Sequence, residues 1–193
     1  MRLLRAADYR RMPWKNGGGE TIEMMVSPAD ASFETFDWRI SMAHVDAPGA
    51  FSLFPNIDRT LSVIAGAGLS LRFAAGDVTS LDRRSTPFRF AGDIAVDSAL
   101  IDGPIDDLNV MTRRDRCRHR VTRHPLGTST QLTWTGDIGM LVAIGGRADI
   151  VTERINITLA PKDAMILEAG DSEKFTAIPR ADTDLFLIEI WYR

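Results

Sequence analysis

Short apolar runs rich in Val, Ile, Leu and Phe recur along this chain between Gly, Asp and Pro breakers, and none keeps the spacing of a buried helix face. That pattern predicts an all-β sandwich or barrel. The strands it marks lie at 36–43, 60–64, 69–73, 86–90, 95–101, 107–111, 131–135, 140–144, 155–159, 163–167 and 183–191. Within 36–43 the alternation sets Trp38, Ile40 and Met42 on one face and Arg39, Ser41 and Ala43 on the other. In a barrel one such face is the lumen wall.

The chain also repeats itself. Val63-Ile64-Ala65-Gly66 lies over Val142-Ala143-Ile144-Gly145 at an offset of 79, and Phe90-Ala91-Gly92-Asp93 lies over Glu168-Ala169-Gly170-Asp171 at an offset of 78. These matches predict a duplicated β unit, with halves near 1–114 and 115–193 joined by the Arg-rich stretch 113–124. Halves of that size bury a marginal core each, so the whole of 1–193 is expected to fold as one cooperative body.

Composition narrows the function classes. The 193 residues are 45% hydrophobic and 25% charged, with a formal charge of −3. No basic run is long enough for a nucleic-acid arm or a membrane patch, and no apolar run spans a bilayer. The start is too charged for a signal peptide, so a soluble cytoplasmic protein without nucleic-acid or membrane partners is expected. A homodimer is compatible with this composition. Cys117 is the only cysteine and His44, His119 and His124 are the only histidines, which excludes a multi-cysteine zinc site.

Most of the unusual chemistry precedes Thr60. The segment Pro13-Trp14-Lys15-Asn16-Gly17-Gly18-Gly19-Glu20-Thr21 joins three glycines to a cation, an amide and an indole. Glycines let backbone N–H groups approach a ligand, and such a loop suits an anion as well as a plain turn before an edge strand. It has neither the Gly-Lys-Ser/Thr order of a phosphate loop nor dinucleotide spacing. The cluster Phe51-Ser52-Leu53-Phe54-Pro55-Asn56-Ile57-Asp58-Arg59 carries an adjacent acid–base pair. His44 falls at a strand end, and Cys117, His119 and His124 sit among arginines that read as a solvated connection.

These segments resemble the HutD/Ves family of cupin-like bacterial proteins, in which WKNGGG-x-T is followed by F-x-W-R-x-S-x-A and F-S-x-F-P-x-x-D-R. The matches are residues 14–21, 36–43 and 51–59, continued by Gly66, 90–93, Gly103-Pro104 and 107–114. Beyond 114 the likeness is one of length and strand pattern. The resemblance implies a double-barrel cupin, the jelly-roll architecture, which agrees with the repeat. Setting the last glycine of the first cupin motif on Gly66 puts Ser52 and Phe54 at the two histidine ligands and Arg59 at the glutamate. A guanidinium there cannot bind a cation but can clamp a carboxylate in bidentate fashion. The same register on Gly145 lands on Ile138.

The resemblance further implies a non-enzymatic or weakly enzymatic, cofactor-free protein that binds a small carboxylate metabolite and regulates or senses histidine utilisation, with a pathway intermediate such as N-formylglutamate or urocanate as its ligand. Arg59 is then the anchor, held by Asp58 and supported by Arg39 or Lys15. Trp14, Trp38 and Phe54 are apolar walls, Ser41, Ser52 and Asn109 are polar contacts, and Asn16 with Gly17, Gly18 and Gly19 forms the rim. Two rivals remain at this point. One is a metal-free isomerase, epimerase or hydrolase on a small polar metabolite, needing a base and an acid across one pocket, for instance Glu20 or Glu23 against His44, though spacing specifies neither pair. The other is a stress-induced interaction module. The ligand positions make one expectation concrete: elemental analysis of the dialysed protein should find no stoichiometric iron, zinc or manganese, and about one bound ion per chain would contradict the register.

Overall fold

The computed structural model describes residues 1–14 and 17–193. Up to Arg113 the chain forms β1 (Arg2–Leu4), a 3-10 turn at Ala6–Asp8, β2 (Arg10–Pro13), β3 (Gly19–Ser27), β4 (Trp38–Val45), β5 (Gly49–Ala50), β6 (Ile57–Ala65), β7 (Leu69–Phe73), β8 (Val78–Leu81), β9 (Phe88–Ala91), β10 (Val96–Leu100) and β11 (Ile105–Arg113). The remainder forms β12 (Cys117–Leu126), β13 (Thr130–Thr133), β14 (Ile138–Ile144), β15 (Ala148–Val151), β16 (Asn156–Leu159), β17 (Ala164–Glu168), β18 (Lys174–Pro179) and β19 (Thr183–Tyr192). Among the described residues no helix is long and apolar enough to cross a membrane.

Two compact units result. The first holds residues 9–118 with Arg193, and the second holds 1–8 with 119–192. In the first, a six-stranded sheet ordered β2-β3-β4-β11-β6-β9 faces a four-stranded sheet ordered β5-β10-β7-β8. Inward residues of both sheets, among them Leu61, Val63, Leu69, Leu71, Phe90 and Val96, make one core. The second unit has sheets ordered β1-β17-β14-β19-β12 and β13-β18-β15-β16.

The two orders superimpose strand for strand: β4-β11-β6-β9 on β12-β19-β14-β17, and β5-β10-β7-β8 on β13-β18-β15-β16. Gly66 and Gly145, which follow β6 and β14, share a φ of 85°. A backbone in the left-handed region favours glycine, so the repeat marks two copies of one turn. The copies differ inside. Leu132, Trp134, Leu141, Leu167, Phe175 and Leu187 fill the second unit's core. Trp134 packs so close to β14 that a Cβ on Gly139 would lie 2.9 Å from its ring.

Three sequence expectations need correction. The stretch read as a solvated connection is largely β12, a ten-residue strand in which Cys117 and His119 are buried while Arg118 and Arg120 are exposed. Its alternation is carried by polar residues and gives no apolar signal. Strand β3 was masked in the same way by Glu20, Thr21 and Glu23. Finally, the first eight residues belong with the second unit, because β1 pairs antiparallel with β17 through Arg2↔Ile166, Leu3↔Met165 and Leu4↔Ala164.

That strand is held by more than its ladder. Arg5 Nη1 donates to Asp163 Oδ2 at 2.7 Å, the Ala6 N–H donates to Asp163 Oδ1 at 2.9 Å, and Leu3 packs on the apolar core. Removing residues 1–8 exposes the β17 edge and leaves Asp163 with fewer donors. A loss of about 2 kcal/mol would lower the midpoint by roughly 4–8 °C for a chain of this size, read by calorimetry. An unchanged midpoint would show that β1 contributes nothing to the second unit.

Candidate functional site

A cavity of about 630 Å³ opens inside the first unit. Its walls come from β3, β4, β6 and β11, and from the segment 47–54. The strand period decides which side chains reach it: Arg39, Ser41, Ala43 and Val45 from β4, Arg59 from β6, and Asp107, Asn109 and Met111 from β11. In the ladder Asn109 lies opposite Ser41 on one side and Leu61 on the other, and Met111 lies between Arg39 and Arg59. Both arginines therefore project from strands flanking β11.

Arg59 is 6% exposed. Its Nη2 donates to Asn109 Oδ1 at 3.0 Å, and Nη1 makes a long contact of 3.5 Å with the Ser52 carbonyl. The rings of Phe51, Phe90 and Phe54 stand 4.8, 5.2 and 5.7 Å from the guanidinium carbon, close enough for cation–π attraction. Among the described residues no carboxylate forms an ion pair with it, and its Nε has no hydrogen-bond partner. Burial pulls the guanidinium down to about 10, with the Asp107 charge opposing and Arg39 adding to the fall. It remains a cation at neutral pH.

Arg39 is different. Its Nε donates to Glu23 Oε2 at 2.7 Å, Nη1 reaches Ser41 Oγ at 3.4 Å, and Phe33 lies 4.9 Å from its guanidinium carbon. Glu23 balances its charge locally. Among the described residues, the lumen arginine without an ion pair is Arg59.

Asp107 was not recognised in the sequence as a site residue. It is 2% exposed, and its Oδ1 accepts from Asn109 Nδ2 at 2.6 Å. The Asn109 amide thus spans the acid and the arginine, donating to one and accepting from the other. Burial pushes the Asp107 carboxyl up to about 7, against the pull of Arg59 and Asn109. The available signal was parity: Asp107 and Asn109 occupy the same face of one strand.

The other expected residues divide clearly. Ser41, Ser52, Phe54, Asn109, Trp14 and Gly18 line the cavity. Trp38 does not, because it alternates with Arg39 and is buried on the opposite face of β4. Asp58 does not hold Arg59: it faces the other way and pairs with Arg89 and Arg114, and Arg114 also clamps Asp93. Lys15 and Asn16 lie outside the described residues. Gly17 and Gly19 are absent from the wall, and the Trp14 and Gly17 N–H groups are used within the turn, on the Gly19 and Trp14 carbonyls. A Cβ on Gly19 would collide with the His44 carbonyl, so this glycine serves close packing of β3 on β4.

Glu20 and Glu23 do not meet His44 across the cavity. His44 points away from the lumen, with Nδ1 2.6 Å from Asp106 and Nε2 3.0 Å from Asp46. The Asp106 hydrogen bond raises its pKa above the ordinary histidine value, against a smaller effect of burial. Glu20 pairs with Arg11, and Glu23 with Arg39. Cys117 is buried. Among the described residues, no group of three or more His, Cys, Asp or Glu side chains is placed to hold a metal ion.

Comparison with known proteins bears on this arrangement. Bacterial pirin YhhW and the oxalate decarboxylase of Lactobacillus farciminis share the fold at TM-scores of 0.70 and 0.63 with 8% and 10% identity, so the architecture is a bicupin. HutD from Pseudomonas fluorescens SBW25, whose structure was determined in a formate condition, matches at a TM-score of 0.85 and 30% identity over 100% of this chain and 98% of that one. An uncharacterised 21.2 kDa protein of Pseudomonas putida, from the hutC 3′ region, is 33% identical over 153 residues, covering 76% of this chain and 80% of the relative. Protein Ves of Citrobacter koseri is 41% identical over 118 residues, 59% of this chain, and the match spans 60% of that relative's length. The HutD family profile itself matches residues 6–184, and with it the chain belongs to the HutD family.

Proposed function

We propose that this protein binds a small carboxylate metabolite in the lumen of its first unit and acts as a sensor or regulator in histidine utilisation. The observation that carries the reading is Arg59: a buried guanidinium with no carboxylate partner, bordered by three aromatic rings and facing a cavity. Keeping such a cation desolvated costs several kcal/mol unless an anion meets it. A carboxylate ligand supplies that anion, and the phenylalanines supply the apolar surface for the rest of the molecule. The histidine-pathway assignment rests on the relatives, one of them from a hutC region and another determined in a formate condition. Formate is the smallest carboxylate, and N-formylglutamate and urocanate are the candidate ligands.

The test is calorimetry with both compounds. Arg59→Ala should weaken binding by roughly ten- to a hundredfold, the worth of one charge-assisted hydrogen bond of ~1.5–3 kcal/mol. Arg59→Lys should also lose affinity, since an ammonium does not reproduce the planar fork. Unchanged affinity in both variants would remove Arg59 from the site. Product analysis of the same mixtures separates a sensor, which returns its ligand intact, from an enzyme.

A further inference from the structure

The Asp107 carboxyl has no part in the anchoring role given to Arg59, yet it lines the same cavity and is joined to that guanidinium by one amide. We propose that the lumen takes up its carboxylate together with one proton, that Asp107 holds this proton, and that a zwitterionic amino acid, whose ammonium takes the place of the proton, enters without it. The inference rests on the carboxylate-binding reading above.

Around Asp107 stand Arg59 from β6 and the Ala43 N–H across the ladder on β4, while Asp106 precedes it on β11 and pairs with His44; Arg39 lines the same cavity farther along β4, opposite Met111, and is paired with Glu23 of β3. Arg59 is the positive charge that most favours ionised Asp107, ahead of the Asn109 hydrogen bond. A ligand carboxylate seated on Arg59 offsets that positive charge, so the stabilisation it gave ionised Asp107 is lost. Two carboxylates sharing a desolvated site cannot both stay ionised, so one takes a proton. Asp107 is the member already near neutrality, at about 7 through burial. A ligand ammonium would have the opposite effect, favouring ionised Asp107 and binding without proton uptake.

Acetate and glycine, alike in size and differing in the ammonium, are the probes. Both are titrated into the wild-type protein and Asp107→Asn by NMR at about pH 6 and about pH 8, with the Asp107 carboxyl carbon followed directly. Acetate should bind roughly tenfold more weakly at the higher pH, as expected for one linked proton with a free-state midpoint near 7. Saturating acetate should move the Asp107 midpoint upward, Asp107→Asn should show no pH dependence, and glycine should not share the weakening of acetate at the higher pH. Equal acetate affinity at both pH values with an unmoved Asp107 midpoint would overturn the proton coupling while leaving the Arg59 anchor standing. So would a pH dependence that persists in Asp107→Asn, or one that glycine shares with acetate. If neither compound bound at either pH, the carboxylate reading would fall as well. The wild-type carboxyl signal decides the matter even if the variant does not fold.

Discussion

A guanidinium taken out of water without a counter-charge is the constraint around which this site is organised. Among the described residues the Arg59 guanidinium hydrogen-bonds only Asn109 and a distant carbonyl, and aromatic faces border it. Cation–π contacts return part of the lost hydration, but less than a carboxylate would. Everything near it keeps it available. Glu23 occupies Arg39, Arg89 and Arg114 occupy Asp58, and Asn109 holds Asp107 at one remove. The lumen keeps Arg59 free of an ion pair because the nearby acids are committed elsewhere.

The duplicated topology makes the contrast sharper, because one unit of the pair is a control for the other. In the first, Met111 faces Arg59 across the β11–β6 ladder. In the second, Glu189 faces Gly139 across β19–β14. Trp134 takes the space that a side chain at Gly139 would need, and Glu189 is satisfied by Arg120 and Thr135. One copy of the fold thus closes its core with apolar side chains and a satisfied acid, while the other keeps a cavity and an unsatisfied cation.

Much of this was legible because a strand has a period of two. Alternation in 36–43 separates Arg39, Ser41 and Ala43 from Trp38, Ile40 and Met42, and the cavity takes the first set. The glycine register brought Ser52, Phe54 and Arg59 together before any coordinates, and all three line the cavity. The same rule, applied strictly, excludes Trp38 and Asp58, each one residue from an arginine that faces inward. What remained hidden depends on partners far along the chain. The Asp58–Arg114–Asp93 clamp joins Arg114 to residues 56 and 21 positions away, and the Arg59–Asn109 contact spans 50. Local pattern carries no trace of such pairings. Strand β12 escaped for another reason, since arginines on its exposed positions imitate a surface loop.

The most direct measurement is a crystal structure of the protein with a bromobenzoate, the bromine being located by its anomalous scattering. The account predicts the carboxylate in the first unit's lumen, within hydrogen-bond distance of the Arg59 guanidinium, and the ring against Phe51 or Phe54. A carboxylate seated elsewhere, with Arg59 still bonded only to Asn109 and Ser52, would contradict it.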